Sequence, residues 1–461
     1  MPLAACVSLA RLVVRWLGAP VLALSVGPSV WAQQVVPRPL GIDLPVYQAQ
    51  PAGGVRRVDN PEGRITLRDA LTLALLQNPE LASFAWETRA REARALQAGR
   101  LPNPVLDTLF EDLGGATGAP RAESVVQPQA TIQLSQLIEL GGKRAARQKL
   151  ADLTRDLAAW NFEAARLDVL TRVSAAYLDV LADQQLAALA GRTRALAEQV
   201  HQIASTWVEA GVVSPIERTK AEVALANARI DEQRARRTLD AGRTRLATFW
   251  GSEAALFAAA DGHISIPPSI PPFAILQQQV AQNPEVARWI TEIAQRDAAR
   301  AVEAAARVPD VTVTAGYRRF TEVDRNAFVI GASIPLPVFD RNRAGVQEAD
   351  DRIVKAREEQ RAAQSRVTAM LAEAYGRLAG AHDEAAGLEA NVLPGARSAF
   401  ASIEEGYRLG RFGFLDVLDA QRTLVGAEGQ YLRALSDWHK AAAEVERLIG
   451  MPLSGIRQDK E

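Results

Sequence analysis

Val311-Thr312-Val313-Thr314-Ala315-Gly316-Tyr317-Arg318 alternates apolar residues with small or polar ones at every second position. Successive side chains of a β-strand point to opposite faces, so this stretch carries one apolar face and one small or polar face. Phe328, Ile330, Ala332, Ile334 and Leu336 alternate in the same way with Val329, Gly331, Ser333 and Pro335. Earlier in the chain, Ala130, Ile132, Leu134, Gln136 and Ile138 alternate with Thr131, Gln133, Ser135 and Leu137, and residues 105–111 form a less regular fourth candidate. A half-buried soluble sheet shows this pattern, and so does the wall of a transmembrane barrel with lipid outside and water inside. Strand number bears on the choice. A membrane barrel needs at least about eight strands to close without an open edge, so a chain with four needs copies of itself, and three copies would supply about twelve. The Gly-rich segment 113–120 and the polar segment 319–326 are then expected at the strand turns.

The segments that follow these strands read as very long helices. Residues 143–210 contain no proline and one interior glycine, Gly191, and would span roughly 100 Å at helical rise. Such a helix needs partners along its whole length. Val367, Leu371, Ala374, Leu378, Ala381, Ala385, Leu388 and Val392 are spaced 4, 3, 4, 3, 4, 3, 4, a heptad seam whose alanines permit close approach. Leu196, Val200, Ile203 and Trp207 continue a 4, 3, 4 spacing toward a turn. Taken alone, these helices also suit a soluble coiled-coil bundle.

Landmarks recur about 200 residues apart, which marks an internal repeat. Asn78-Pro79-Glu80 returns as Asn283-Pro284-Glu285, each followed by an Ala- and Arg-rich stretch running toward Pro102 and Pro309. Residues 134–144 resemble 334–343, and 211–217 resemble 410–416. Prolines 267, 268, 271 and 272 exclude a helix or central strand between the halves. The expected division is therefore an extended segment 33–62, a first repeat 63–262, a Pro-rich linker 263–272, a second repeat 273–450 and a tail 451–461. Each repeat should run short helix, strand pair, long helix, tight turn and returning helix.

Arg11 and Arg15, then a short apolar run broken by Gly18, Pro20, Gly27 and Pro28, and Val30-Trp31-Ala32 read as a secretory signal peptide over 1–32. Its removal would take Cys6, the only cysteine, and with it any disulfide or thiolate site. Past residue 32 no run of roughly 18 apolar residues exists, so the chain would enter a membrane only as strands. The 53 basic and 54 acidic residues balance, which argues against a nucleic-acid partner. No Gly-rich phosphate loop, G-x-S-x-G elbow or H-E-x-x-H is present, so no enzyme is expected. His201, His263, His382 and His439 form no i, i+4 pair, and beyond residue 32 only Met370 and Met451 add sulfur. That is a poor ligand set, and no metal or other cofactor is expected.

Together, the duplicated strand-pair and long-hairpin plan, with Tyr407-Arg408-Leu409-Gly410 before Phe414-Leu415-Asp416-Val417-Leu418-Asp419-Ala420-Gln421, resembles the TolC-like outer-membrane efflux factors over residues 63–450. Residues 137–144 (Leu-Ile-Glu-Leu-Gly-Gly-Lys-Arg) and 334–343 (Ile-Pro-Leu-Pro-Val-Phe-Asp-Arg-Asn-Arg) look most like the CzcC-type, heavy-metal branch. The resemblance implies a mainly α fold with a small β part, a long helical hairpin barrel and four strands contributed to a trimeric transmembrane β-barrel. It implies a homotrimer in the outer membrane, in contact with its lipid and extending into the periplasm. That duct would dock on a periplasmic adaptor and an inner-membrane pump and pass substrates, divalent heavy-metal cations by the branch, to the exterior. A drug-efflux or type I secretion duct of the same fold is the alternative, and a periplasmic helical adaptor a second one. The turns Gly211-Val212-Val213-Ser214-Pro215 and Gly410-Arg411-Phe412-Gly413 match the family's adaptor-docking tips, with Gly211, Val212, Ser214, Gly410 and Gly413 named for that role. Asp416 and Asp419 match the acids that ring the family's constriction, and Glu217 and Tyr407 match positions that hold it shut. The bridging arginine of the family is displaced: Phe412 stands at its position and Arg411 beside it. Read without the resemblance, Asp416 and Asp419 are also what a solvated helix face carries.

Overall fold

The computed structural model describes residues 40, 43–49, 60–111, 129–265, 269–320 and 325–456. The signal-peptide reading of 1–32 and the turn reading of 113–120 lie outside the described residues.

The first half contains β1 (Gly63–Thr66), α1 (Leu67–Gln77), α2 (Pro79–Ala98), β2 (Val105–Glu111), β3 (Gln129–Ile138), α3 (Lys143–Glu209), α4 (Pro215–Thr248) and β4 (Phe257–Asp261). The second contains α5 (Phe273–Gln278), a 3-10 turn, α6 (Pro284–Ala306), β5 (Val311–Phe320), β6 (Arg325–Ser333), α7 (Arg343–Gly387), α8 (Leu393–Arg408) and α9 (Phe414–Ile449). The architecture is thus mainly α with a small β part, and the order helix pair, strand pair, long helical stretch and returning helix occurs twice, with β1 and β4 only in the first half among the described residues.

At 67 residues α3 is the spine of the molecule. It packs against α2, α4, α6 and α9, while α9 packs on α7 and α8. In cross-section the helices therefore run α4, α3, α9, then α7 and α8. The heptad seam explains the last contact: Val367, Leu371, Ala374, Leu378, Ala381, Ala385 and Leu388 are all buried, facing Trp438, Ala441, Val445 and Leu448 of α9 along part of their length. Each fully buried leucine of this seam contributes about 1.5–3 kcal/mol.

One seam residue departs from expectation. Val392 is exposed, and Leu393 is buried in its place. The reason is a single π turn, Leu388–Val392, which inserts an extra residue and rotates the following helix by one position.

The two Asn-Pro landmarks do the same work in both halves. Asn78 and Asn283 are N-caps, accepting from Leu81 N–H (3.0 Å) and Glu285 N–H (2.7 Å). Their Nδ2 atoms donate to Phe249 O (2.9 Å) and Leu448 O (3.0 Å), at the C-terminal ends of α4 and α9. One buried amide thus satisfies an orphan N–H of one helix and an orphan carbonyl of another.

The four expected strands form one antiparallel sheet in the order β2-β3-β5-β6. Its limits differ slightly from those read in the sequence. Ile334, Pro335 and Leu336 fall outside β6, because Pro335 and Pro337 have no N–H to give to a ladder. Arg319 pairs with Asn326 and Phe320 with Arg325, so part of the polar segment 319–326 is strand. Ladder bonding is a backbone property and continues through polar side chains. A further pair, β1 and β4, forms a short parallel sheet that the sequence reading missed. The Tyr177 hydroxyl of α3 lies 2.9 Å from Ile65 O and 2.6 Å from Asp261 O, so its one proton is shared between the two strands.

Candidate functional site

Residues opposite one another in an antiparallel pair share a face, so the register assigns the faces of the sheet. One face collects Leu106 and Phe110, Ile132, Leu134 and Ile138, Val311, Val313 and Tyr317, and Phe328 and Ile330. These residues are apolar, yet Phe328 is 87% and Ile330 84% exposed in the single chain. An uncovered apolar face of this breadth marks a surface that meets something other than water. The opposite face carries a polar network. Ser135 lies 3.1 Å from Asp107 and 3.3 Å from Thr314, and Arg318 Nε donates to Thr131 Oγ1 at 2.9 Å. Both outer strands, β2 and β6, have one neighbour each among the described residues. Among the described residues the sheet is a wall with two unpaired edges, apolar on one side and mostly small or polar on the other.

The wall is fixed to α3 by charge. Glu139, just after β3, accepts from Arg147 at 2.6 and 3.1 Å, and that hydrogen bond holds its carboxyl below the usual range. Asp310, just before β5, is also held low: burial pushes the other way, but Lys143 at 2.8 Å and the Leu140 N–H at 3.0 Å outweigh it. Between them Gly141 adopts φ +67°, with Val308 and the Ala305 carbonyl where a Cβ would sit. Here glycine is needed both for the left-handed backbone and for the close approach.

At the far end of the helices are two reversals with one geometry. Gly211 (φ 69°) and Gly410 (φ 71°) are left-handed. Val212 N–H donates to Trp207 O (2.9 Å) and Gly211 N–H to Val208 O (3.1 Å); Arg411 N–H donates to Gly406 O (2.7 Å) and Gly410 N–H to Tyr407 O (2.9 Å). Both are Schellman caps. Ser214 then caps α4 through Ile216 N–H (3.4 Å), while Asp416 Oδ2 accepts from Gly413 N–H (2.8 Å) at the start of α9. Asp416 thus has a local role in closing a helix as well as the role the resemblance implies.

Tyr407 is buried among Val200, Ala204, Ala221, Phe414 and Val417, with the Trp207 ring 4.9 Å away. Burial, and then the nearby Glu217 carboxylate, raise its phenol above the usual pKa. Glu217 and Tyr407, from different halves, are therefore neighbours. One Glu217 oxygen is buried without a hydrogen-bond partner and the other faces Lys220 at 3.4 Å. Arg411 is exposed, and Phe412 lies over Gly406, where it would collide with any added Cβ. Asp416 and Asp419 are exposed one turn apart on α9. Counting from each helix start, Glu217 corresponds to Asp416 and Lys220 to Asp419. Lys220 and Gly406 were missed in the sequence, although aligning the two turns residue by residue would have shown the lysine opposite the aspartate.

Comparison with known proteins agrees with this geometry. The profile of the family described as "Outer membrane efflux protein" matches residues 70–252 and 275–451, one match in each half. The cobalt-zinc-cadmium resistance protein CzcC of Cupriavidus metallidurans is 38% identical over 388 residues, 84% of this chain and 90% of that one. Among solved structures, the transmembrane channel CusC superposes with a TM-score of 0.69 at 16% identity, covering 90% of this chain and 98% of that one. The Campylobacter jejuni CmeC outer membrane channel gives 0.70 at 16%, covering 86% and 87%. At such identities the structures speak for the fold, and the family match with its 38% relative speaks for descent. The chain belongs to the outer membrane efflux protein family and is an outer-membrane efflux channel of the CzcC type.

Proposed function

We propose that this chain works as a homotrimeric, passive duct that receives divalent heavy-metal cations from an inner-membrane pump through a periplasmic adaptor and releases them outside the cell. The observation that supports closure by copies is the four-stranded wall, open at both edges with its apolar face bare. Exposed strand edges and apolar faces are costly, and three copies would close about twelve strands into a barrel with lipid outside and the Asp107, Ser135 and Thr314 face inside. Cargo rests on the relative named for cobalt, zinc and cadmium.

At the other end, the turns around Gly211, Val212 and Ser214 and around Gly410 and Gly413 would meet the adaptor. Threefold symmetry would bring about six carboxylates from Asp416 and Asp419 around a narrow axis, where they attract cations and repel one another. Glu217, Tyr407 and Arg411 would set how readily that end opens. Deleting the gene should sensitise its host to zinc, cadmium and cobalt, with wild-type tolerance to detergents and drugs. Sensitivity to drugs alone would make it a drug duct, and a monomer recovered in the soluble periplasm would refute the duct altogether.

A further inference from the structure

Where β2 leaves the helical part, a cavity of about 640 Å³ opens between α2 and α3. Arg91, Arg94, Arg100 and Arg147 line it, and none of its lining side chains is acidic. Arg91 is engaged by Glu87 and Arg147 by Glu139. Arg94 and Arg100 are exposed and meet no carboxylate among the described residues. The floor is rigid: Arg147 Nε donates to Ala98 O at 3.0 Å, and Gln136 of β3 donates to Pro102 O at 3.0 Å. At the rim, Leu101 is exposed, so the basic pocket has an apolar lip.

Position says what such a pocket meets. Pro102 stands three residues before β2, so the cavity lies within about 10 Å of the strand end. That depth is the headgroup zone of a bilayer whose core the strand enters. Here two uncompensated guanidinium groups face a region rich in phosphate, and their planar forks suit pairs of phosphate oxygens.

We propose that this pocket binds the phosphate of an anionic phospholipid from the periplasmic leaflet, with an acyl chain lying over Leu101. The inference rests on the sheet entering the membrane, not on the cargo, the trimer or the gate. Free phosphate has the same headgroup chemistry, and the test separates the two. Native mass spectrometry of the detergent-purified protein should show dioleoyl phosphatidylglycerol bound to the wild type and about tenfold more weakly to R94Q/R100Q, as expected when two charge-assisted contacts are lost. The charge-matched variant R237Q/R366Q, whose arginines are exposed on α4 and α7, should bind like the wild type. Equal binding by R94Q/R100Q and wild type would overturn the proposal. So would displacement of the lipid by inorganic phosphate at equal concentration, which would make the ligand a free anion.

Discussion

Replacing Asn283 by alanine should lower the melting temperature by roughly 2–4 °C, a measurable effect for one amide. The residue is 2% exposed, so none of its side-chain hydrogen bonds, a longer one to Arg447 O at 3.4 Å included, is replaced by bulk water. Losing the cap to Glu285 N–H costs about 1 kcal/mol. Leaving the Leu448 carbonyl without its donor adds about 1–3 kcal/mol. At about 2 cal/mol/K per residue the unfolding entropy of this 461-residue chain is about 1 kcal/mol/K, so the total of about 2–4 kcal/mol converts to the stated range. Asn283→Asp separates the two parts. It keeps an acceptor for Glu285 N–H, favourable at a helix start, but sets a carboxylate against the Leu448 carbonyl. Tryptophan fluorescence melts in detergent, all run at one scan rate so that any irreversibility acts alike on every variant, should place the aspartate variant beside the alanine variant. An aspartate variant melting within about 0.5 °C of the wild type would show that the bond to Leu448 contributes little, and the clamp between helices would be refuted.

Single-channel recording of Asp416→Asn with Asp419→Asn should show weaker block by divalent cations; asparagine keeps an acceptor for Gly413 N–H, so an unchanged block would remove these residues from the constriction. Acid should act through the junction of sheet and helix. Glu139 and Asp310 have lowered pKa values when folded, so their stabilisation is complete above the ordinary carboxylate range and is lost as pH falls through the folded values. Glu139→Gln should therefore be less stable than the wild type at pH 7 and lose less on acidification below about pH 4, read as melting temperature against pH. Parallel pH curves for the two proteins would refute that role.

Much of this fold is legible in the sequence because its two periodicities are unmixed. The alternation at Val311–Phe320 is the pleat itself, and a heptad of alanines and leucines has one way to bury. What escaped reading depended on neighbours distant in the chain. β1 and β4 are short and pair across nearly two hundred residues, so neither carries a local signal. The π turn before Leu393 is invisible because Leu388, Val392 and Leu393 all satisfy some helical spacing, and packing alone chooses among them. Asp416 and Asp419 could be singled out by likeness, whereas the nearness of Glu217 to Tyr407 needed two hairpins laid side by side.

The correspondence of Lys220 with Asp419 carries a consequence for ancestry and design. A ring built from six identical single-repeat subunits would have to place the same residue at every equivalent position. Fusing two repeats in one chain removes that constraint, and in a threefold ring lysines can alternate with aspartates at sites that began as copies. One half is then free to keep a neutral pair, Glu217 with Lys220, while the other gathers negative charge. Exchanging Lys220 for aspartate would make the two turns alike in charge and, in a threefold ring, double the negative charge gathered around its axis.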